Sequence, residues 1–233
     1  MKKKYKYLYQ TIINPNKSYF IGFFCFLIFL GLILITSSND AMLEFLNNHR
    51  TPFLNTFFIS ATKIAEEEGI IIVFIIFILF KYSALILSAI SISMATIVSN
   101  IIKTITDLPR PLEVYNKLGD FAINLIPGVE VHRFMSFPSG HTAAAFAMLF
   151  FLLRISSNIY QRLIILFLSV SVAISRVYLF QHFTRDVLAA SLIGVILALL
   201  IYYLFIHFNW FLELDNKKNG LIKEIKLNKK QPK

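Results

Sequence analysis

Three short clusters in this 233-residue chain hold residues suited to one kind of chemistry. Lys103 precedes Arg110-Pro111 by seven positions; Pro138-Ser139-Gly140-His141 follows; Ser175-Arg176 leads to His182 and Asp186. Three cations, two histidines, a carboxylate and a glycine at a helix start suit phosphoryl transfer better than any other chemistry. Ser139 is a good N-cap, and Thr142-Ala143-Ala144-Ala145 begins a helical run. A helix N-terminus offers free N–H groups and a positive dipole end to a phosphate. Gly140 lets an anion come close to the backbone, and His141 stands where it could protonate a departing oxygen. Arg110 lies between two prolines, a stiff turn suited to bidentate phosphate contact. His182 and Asp186 are four apart, so they share a helix face if the last span starts near His182. A carboxylate there fixes the imidazole tautomer and leaves the other nitrogen as an attacking lone pair.

Each cluster alone has a plainer explanation: a helix cap, a snorkelling lysine, a proline turn. What joins them is the set of elements that carry them. The chain is 57% hydrophobic and 15% charged, and its apolar residues are blocked into runs. Six transmembrane helices are expected at about 19–37, 68–81, 84–104, 139–154, 160–178 and 184–206, the second being short for a span. Residues 39–69 are mixed, and an amphipathic helix lying at the interface is expected over about 41–60. Three domains follow: a basic N-terminus 1–18, a six-span unit 19–206 with a loop at 105–137, and a basic tail 207–233 expected to be disordered at its end. The first span, with a basic lead and no small-residue cleavage pattern, reads as an uncleaved anchor.

Cluster one closes span three, cluster two opens span four, and cluster three joins spans five and six, so all fall on one membrane face. Fifteen of the 23 Lys and Arg lie on the opposite face, with both termini. The positive-inside rule makes that face cytoplasmic and the clusters extracytoplasmic. A net charge of +10 concentrated at the chain ends fits anionic headgroups rather than nucleic acid. The lone Cys25 excludes a disulfide framework. Glu66-Glu67-Glu68 reads as a solvated charge run.

At these residues the chain resembles the type 2 phosphatidic acid phosphatase family of integral membrane lipid phosphatases. The family signature K-x6-R-P, P-S-G-H, S-R-x5-H-x3-D is filled at every position, in order. The resemblance implies an all-α membrane protein with a PAP2/haloperoxidase-like helical core. It implies His182 as nucleophile forming a phosphohistidine, Asp186 as its orienter and His141 as general acid. It further implies Lys103, Arg110, Ser139, Gly140 and Arg176 as holders of the phosphate oxygens. No metal and no cofactor is expected, because cations do the charge neutralisation and one carboxylate is too few for a two-metal site. The implied substrate is a lipid phosphate in the bilayer: undecaprenyl pyrophosphate, phosphatidic acid, phosphatidylglycerol phosphate or a lipid A phosphate. The expected location is a bacterial cytoplasmic (inner) membrane with the site facing the periplasm or exterior. Alternatives are transfer of the phosphoryl group to another lipid by the same histidine, and an inactive membrane scaffold.

Overall fold

The computed structural model describes residues 2–118, 124–216 and 220–222. The expected disordered end of the tail lies outside these residues, as does part of the loop at 105–137. Among them the chain is helical, without strands. The helices are α1 (Lys2–Leu8), α2 (Lys17–Thr36), α3 (Ala41–Asn48), α4 (Pro52–Thr62), α5 (Glu67–Phe80), α6 (Tyr82–Thr106), α7 (Pro111–Leu118), α8 (Gly140–Leu149), α9 (Ile159–Tyr178), α10 (Thr184–Phe205) and α11 (Asn209–Asn216). Short π and 3-10 turns extend α1 to Ile13, join α4 to α5 over Lys63–Ala65, and prolong α8 to Arg154.

Helices stand at all six positions where spans are expected. Four of them, α2, α6, α9 and α10, are long and apolar enough to cross a membrane. The other two are short. α5 has 14 residues and reaches about 21 Å against a hydrocarbon thickness of about 30 Å. α8 has 10 residues, and every one from Thr142 to Leu149 is buried. It is the central strut of the bundle, packed against α6, α9 and α10. A helix sheathed by protein meets no lipid, so hydrocarbon thickness does not set its length. Its alanines let the neighbours close in: Ala143 and Ala147 meet Ala95 of α6 and Ala190 of α10. At Gly194 of α10, a Cβ would lie 2.6 Å from the Ala143 carbonyl oxygen. Small residues thus set the α8–α10 spacing, and with it the spacing of the clusters that these two helices open.

The segment expected as one interfacial helix is two, α3 and α4, broken at His49–Thr51. Thr51 caps α4 by accepting from Leu54 N–H at 3.2 Å, and Pro52 takes the first helical position. Both pack on α9. Arg50, at the break, donates to the Tyr178 carbonyl at 2.7 Å and lies over its ring at 5.3 Å. Tyr178 in turn donates to Asn55 at 2.6 Å. This connector therefore clamps the end of α9, two residues from Arg176. The loop at 105–137 also contains an element not foreseen, α7, started by Pro111 at its first position.

Candidate active site

The three clusters meet at one end of the bundle and are tied together pairwise. Ser139 N–H donates to the Asp186 carbonyl at 3.2 Å, which joins the second cluster to the third. Arg110 Nη1 donates to Gln181 Oε1 at 2.9 Å, which joins the first to the third. A Cβ on Gly140 would lie 3.7 Å from Lys103 Nζ, so the ammonium hangs over the α8 N-terminus and joins the first to the second. Ser139 caps α8 as expected, accepting from Thr142 N–H at 3.4 Å and from its hydroxyl at 2.9 Å.

Asp186 is the third residue of α10. Its Oδ2 accepts from Phe183 N–H at 3.0 Å, closing the helix N-terminus. The same oxygen accepts a short hydrogen bond from Ser136 and lies 3.5 Å from His182 Nδ1. At that distance, with Nδ1 making no hydrogen bond, the pair is in electrostatic contact with its hydrogen bond unmade. His182 reaches this position through a tight turn after α9. Its N–H and that of Gln181 both return to the Arg176 carbonyl, at 3.1 and 2.9 Å. Phe180 adopts φ 62°, uncommon for a residue with a side chain and costly enough to mark a site the fold insists on. Burial holds the His182 imidazole pKa down to about 3, opposed by Asp186 and reinforced by Arg110 and Arg176. The ring is therefore neutral at ordinary pH, the form with a lone pair to give.

The cations are buried or half-buried. Arg110 is held by its own loop, donating to Phe134 O at 2.8 Å and to Met135 O at 3.4 Å. Burial lowers its pKa, and the Asp186 charge works the other way. Arg176 donates to Thr62 Oγ1 at 2.6 Å, and its Nε has no partner. Lys103, Arg110 and Arg176 feel one another's charge. None of the three lies within 4 Å of a carboxylate among the described residues. Asp186 and Glu66 act on them only from beyond that distance, so three packed cations leave a place for an anion.

A cleft of about 290 Å³ opens on this assembly, lined among others by Thr62, Lys63, Glu66, His132, His141 and Arg176. His182, 1% exposed, does not line it. The sequence reading missed four contributors. Gln181 bridges Arg110 and Glu130, Ser136 holds Asp186, and Thr62 holds Arg176. None has a residue type or spacing that marks it, since each acts through a contact between distant segments. The fourth is Glu66. Glu67 and Glu68 are exposed, as a solvated run should be. Glu66 is only partly exposed, and its Oε1 lies 3.6 Å from His141 Nε2.

The PAP2 superfamily profile matches residues 81–210, more than half of the chain. The chain belongs to the PAP2 superfamily. Its fold is similar to the crystal structure of Aquifex aeolicus LpxE, with a TM-score of 0.60 and 26% identity over 70% of this chain and 93% of that one. It is also similar to the first transmembrane PAP2 type phosphatidylglycerolphosphate phosphatase from Bacillus subtilis, with a TM-score of 0.53 and 24% identity over 78% and 93%. No curated protein matches the sequence. This PAP2 protein is a multi-pass membrane protein.

Proposed function

We propose that this PAP2 protein is a membrane lipid phosphatase working through a phosphohistidine on His182. The observation that carries the reading is the trio Lys103, Arg110 and Arg176, gathered beside a neutral histidine and the α8 N-terminus with no carboxylate of their own. Such a site is short of negative charge, and a phosphate supplies it. The phosphatidylglycerolphosphate phosphatase among the structural relatives favours a lipid ester.

His182 Nε2 attacks phosphorus as the bond to the lipid oxygen breaks, and His141 gives its proton to that oxygen. Asp186 stabilises the positive charge on His182 while the N–P bond exists. Water then attacks phosphorus, His141 takes the water's proton, and the N–P bond breaks to release phosphate. The cations hold the three non-bridging oxygens throughout. The residues near phosphorus supply the charge that magnesium supplies in other phosphoryl-transfer sites, so activity should persist in a chelator. By its basic opposite face, the site looks to the exterior of a bacterial inner membrane, with the lipid chains left in the outer leaflet.

The test is phosphate release from a panel of lipid phosphates in detergent. Wild type should release phosphate, and His182→Ala should fall by at least about 10^4-fold, since the nucleophile acts as a unit with its partners. An acid-labile, base-stable phosphoprotein should appear in a quench of wild type only. Equal background release by both proteins across the panel would point to a scaffold, and a phospholipid product in place of free phosphate would point to transfer.

A further inference from the structure

Each of the two histidines given a catalytic role faces a carboxylate. His182–Asp186 is sealed, its side chains 1% and 0% exposed at 3.5 Å. His141–Glu66 is open to the cleft, its side chains 36% and 37% exposed at 3.6 Å. Glu66 comes from the turn between α4 and α5, outside residues 81–210 that the family profile matches. That turn is built to hold position. Thr62 at its start is bonded to Arg176. Gly69 lies so close behind it that a Cβ would stand 2.4–2.5 Å from the Ile64 backbone.

His141 needs a proton to act as the acid. Burial is the first thing that opposes one, and the charged groups around it add to that: Arg176 from α9, His182 when protonated, Lys103 from α6 and Arg110 from the following turn. Lys63, Glu130 and His132 share the cleft with it. Among the described residues Glu66 is the carboxylate within 4 Å of its ring. An anion on one ring nitrogen fixes the tautomer and leaves the other nitrogen to face the leaving group.

We propose that Glu66 is the positioning residue of the general acid, holding the His141 ring and favouring its charged form as the proton is passed on. The inference rests on the phosphatase reading above. Glu66 transfers no proton itself: the proton passes from the free nitrogen of His141 to the leaving oxygen as the P–O bond breaks, and Glu66 remains a carboxylate facing the other N–H.

The experiment compares two substrates. A lipid monophosphate, taken as the faster of phosphatidic acid and phosphatidylglycerol phosphate, leaves as an alkoxide that needs a proton. p-Nitrophenyl phosphate leaves as a stable phenolate that does not. General acid catalysis contributes about 10^2–10^4-fold, so E66Q should lower kcat on the lipid by about 10–100-fold and leave kcat on the aryl phosphate within about twofold. The alkaline limb of the lipid pH profile should move to lower pH, and E66D should recover part of the loss. E67Q, the same charge deletion on an exposed neighbour, should match wild type. Equal losses on both substrates, an unmoved alkaline limb, or an E67Q effect as large as E66Q would overturn the proposal. If H141A shows the substrate selectivity and E66Q does not, the Glu66 inference fails while the phosphatase reading stands. If wild type releases phosphate from neither substrate, both fail.

Discussion

Two polar clusters sit toward opposite ends of α6, at Lys81 and Lys103, about 33 Å apart along the helix. At the Lys103 end, three cations lie together with no carboxylate within 4 Å among the described residues, Asp186 and Glu66 acting on them only from further off. At the Lys81 end, one carboxylate gathers every charge around it. Asp215 accepts from Arg154 at 3.0 Å on both oxygens, from Ser83 at 2.9 Å, from Tyr7 at 3.0 Å and from Tyr202 at 2.8 Å. Lys81 Nζ lies 3.5 Å from its Oδ1 and donates to its carbonyl at 2.6 Å. These partners come from α1, α6, α10, α11 and the turn after α8, so the cluster fastens both chain ends to the bundle. The contrast teaches what to read as function. Buried charges that satisfy one another hold a structure together, and buried charges that do not are waiting for a ligand.

The comparison can be broken in four places, taken from the largest expected effect downward. His182 should carry no proton until pH nears about 3, against about 6.5 for an ordinary histidine. As pH falls through 6.5 the unfolded chain takes up this proton and the folded chain does not, so the buried neutral ring costs stability on the acid side. An NMR titration of the His182 ring should be flat from pH 8 to 5, and a midpoint near 6.5 would break the account of a neutral nucleophile. Next, Asp215→Ala leaves Lys81 and Arg154 uncompensated and should cost about 3–5 kcal/mol of stability by thermal unfolding in detergent. The protein that remains folded should keep its specific activity.

Arg176→Ala should do the reverse. Removing one preorganised charge from the phosphate site should lower kcat/KM by about 10^2–10^3-fold, while the melting temperature holds or rises because a buried unpaired charge is gone. Should Arg176→Ala unfold the protein as Asp215→Ala does, the two clusters would both be structural and the contrast would collapse. The smallest effect is Ser139→Ala, which removes the α8 cap and should cost about 1 kcal/mol.

Much of this was legible beforehand because it is local. The apolar runs are covalently contiguous, and they place helices at each expected position. His182 and Asp186 do come together, but not on a helix face: α10 begins at Thr184, so His182 meets Asp186 from the turn before it, whereas Ser139 caps α8 as read because a hydroxyl at that position can reach the third N–H. The interfacial segment was legible only in part. Its apolar residues are in the sequence, but the break at His49–Thr51 and the clamp of Arg50 on Tyr178 need α9 to be present. α7 was hidden because Pro109 and Pro111 read as loop formers, and only one of them could start a helix. The Glu66 run was read as uniform because three identical residues carry no mark of which one faces inward.

The sequence by itself determined the helices, the order of the three clusters and the residue types that could attack, protonate and hold a phosphate. Tertiary structure decided the rest. It set α8 at the centre, where burial frees it from the length a lipid-facing span needs. Among the described residues it left Lys103, Arg110 and Arg176 without a carboxylate within 4 Å while giving Lys81 and Arg154 one. It brought Thr62 and Glu66 of a remote turn against Arg176 and His141. The physical reason is common to all three: charge and burial depend on which groups share a volume, and only packing between distant segments fixes that.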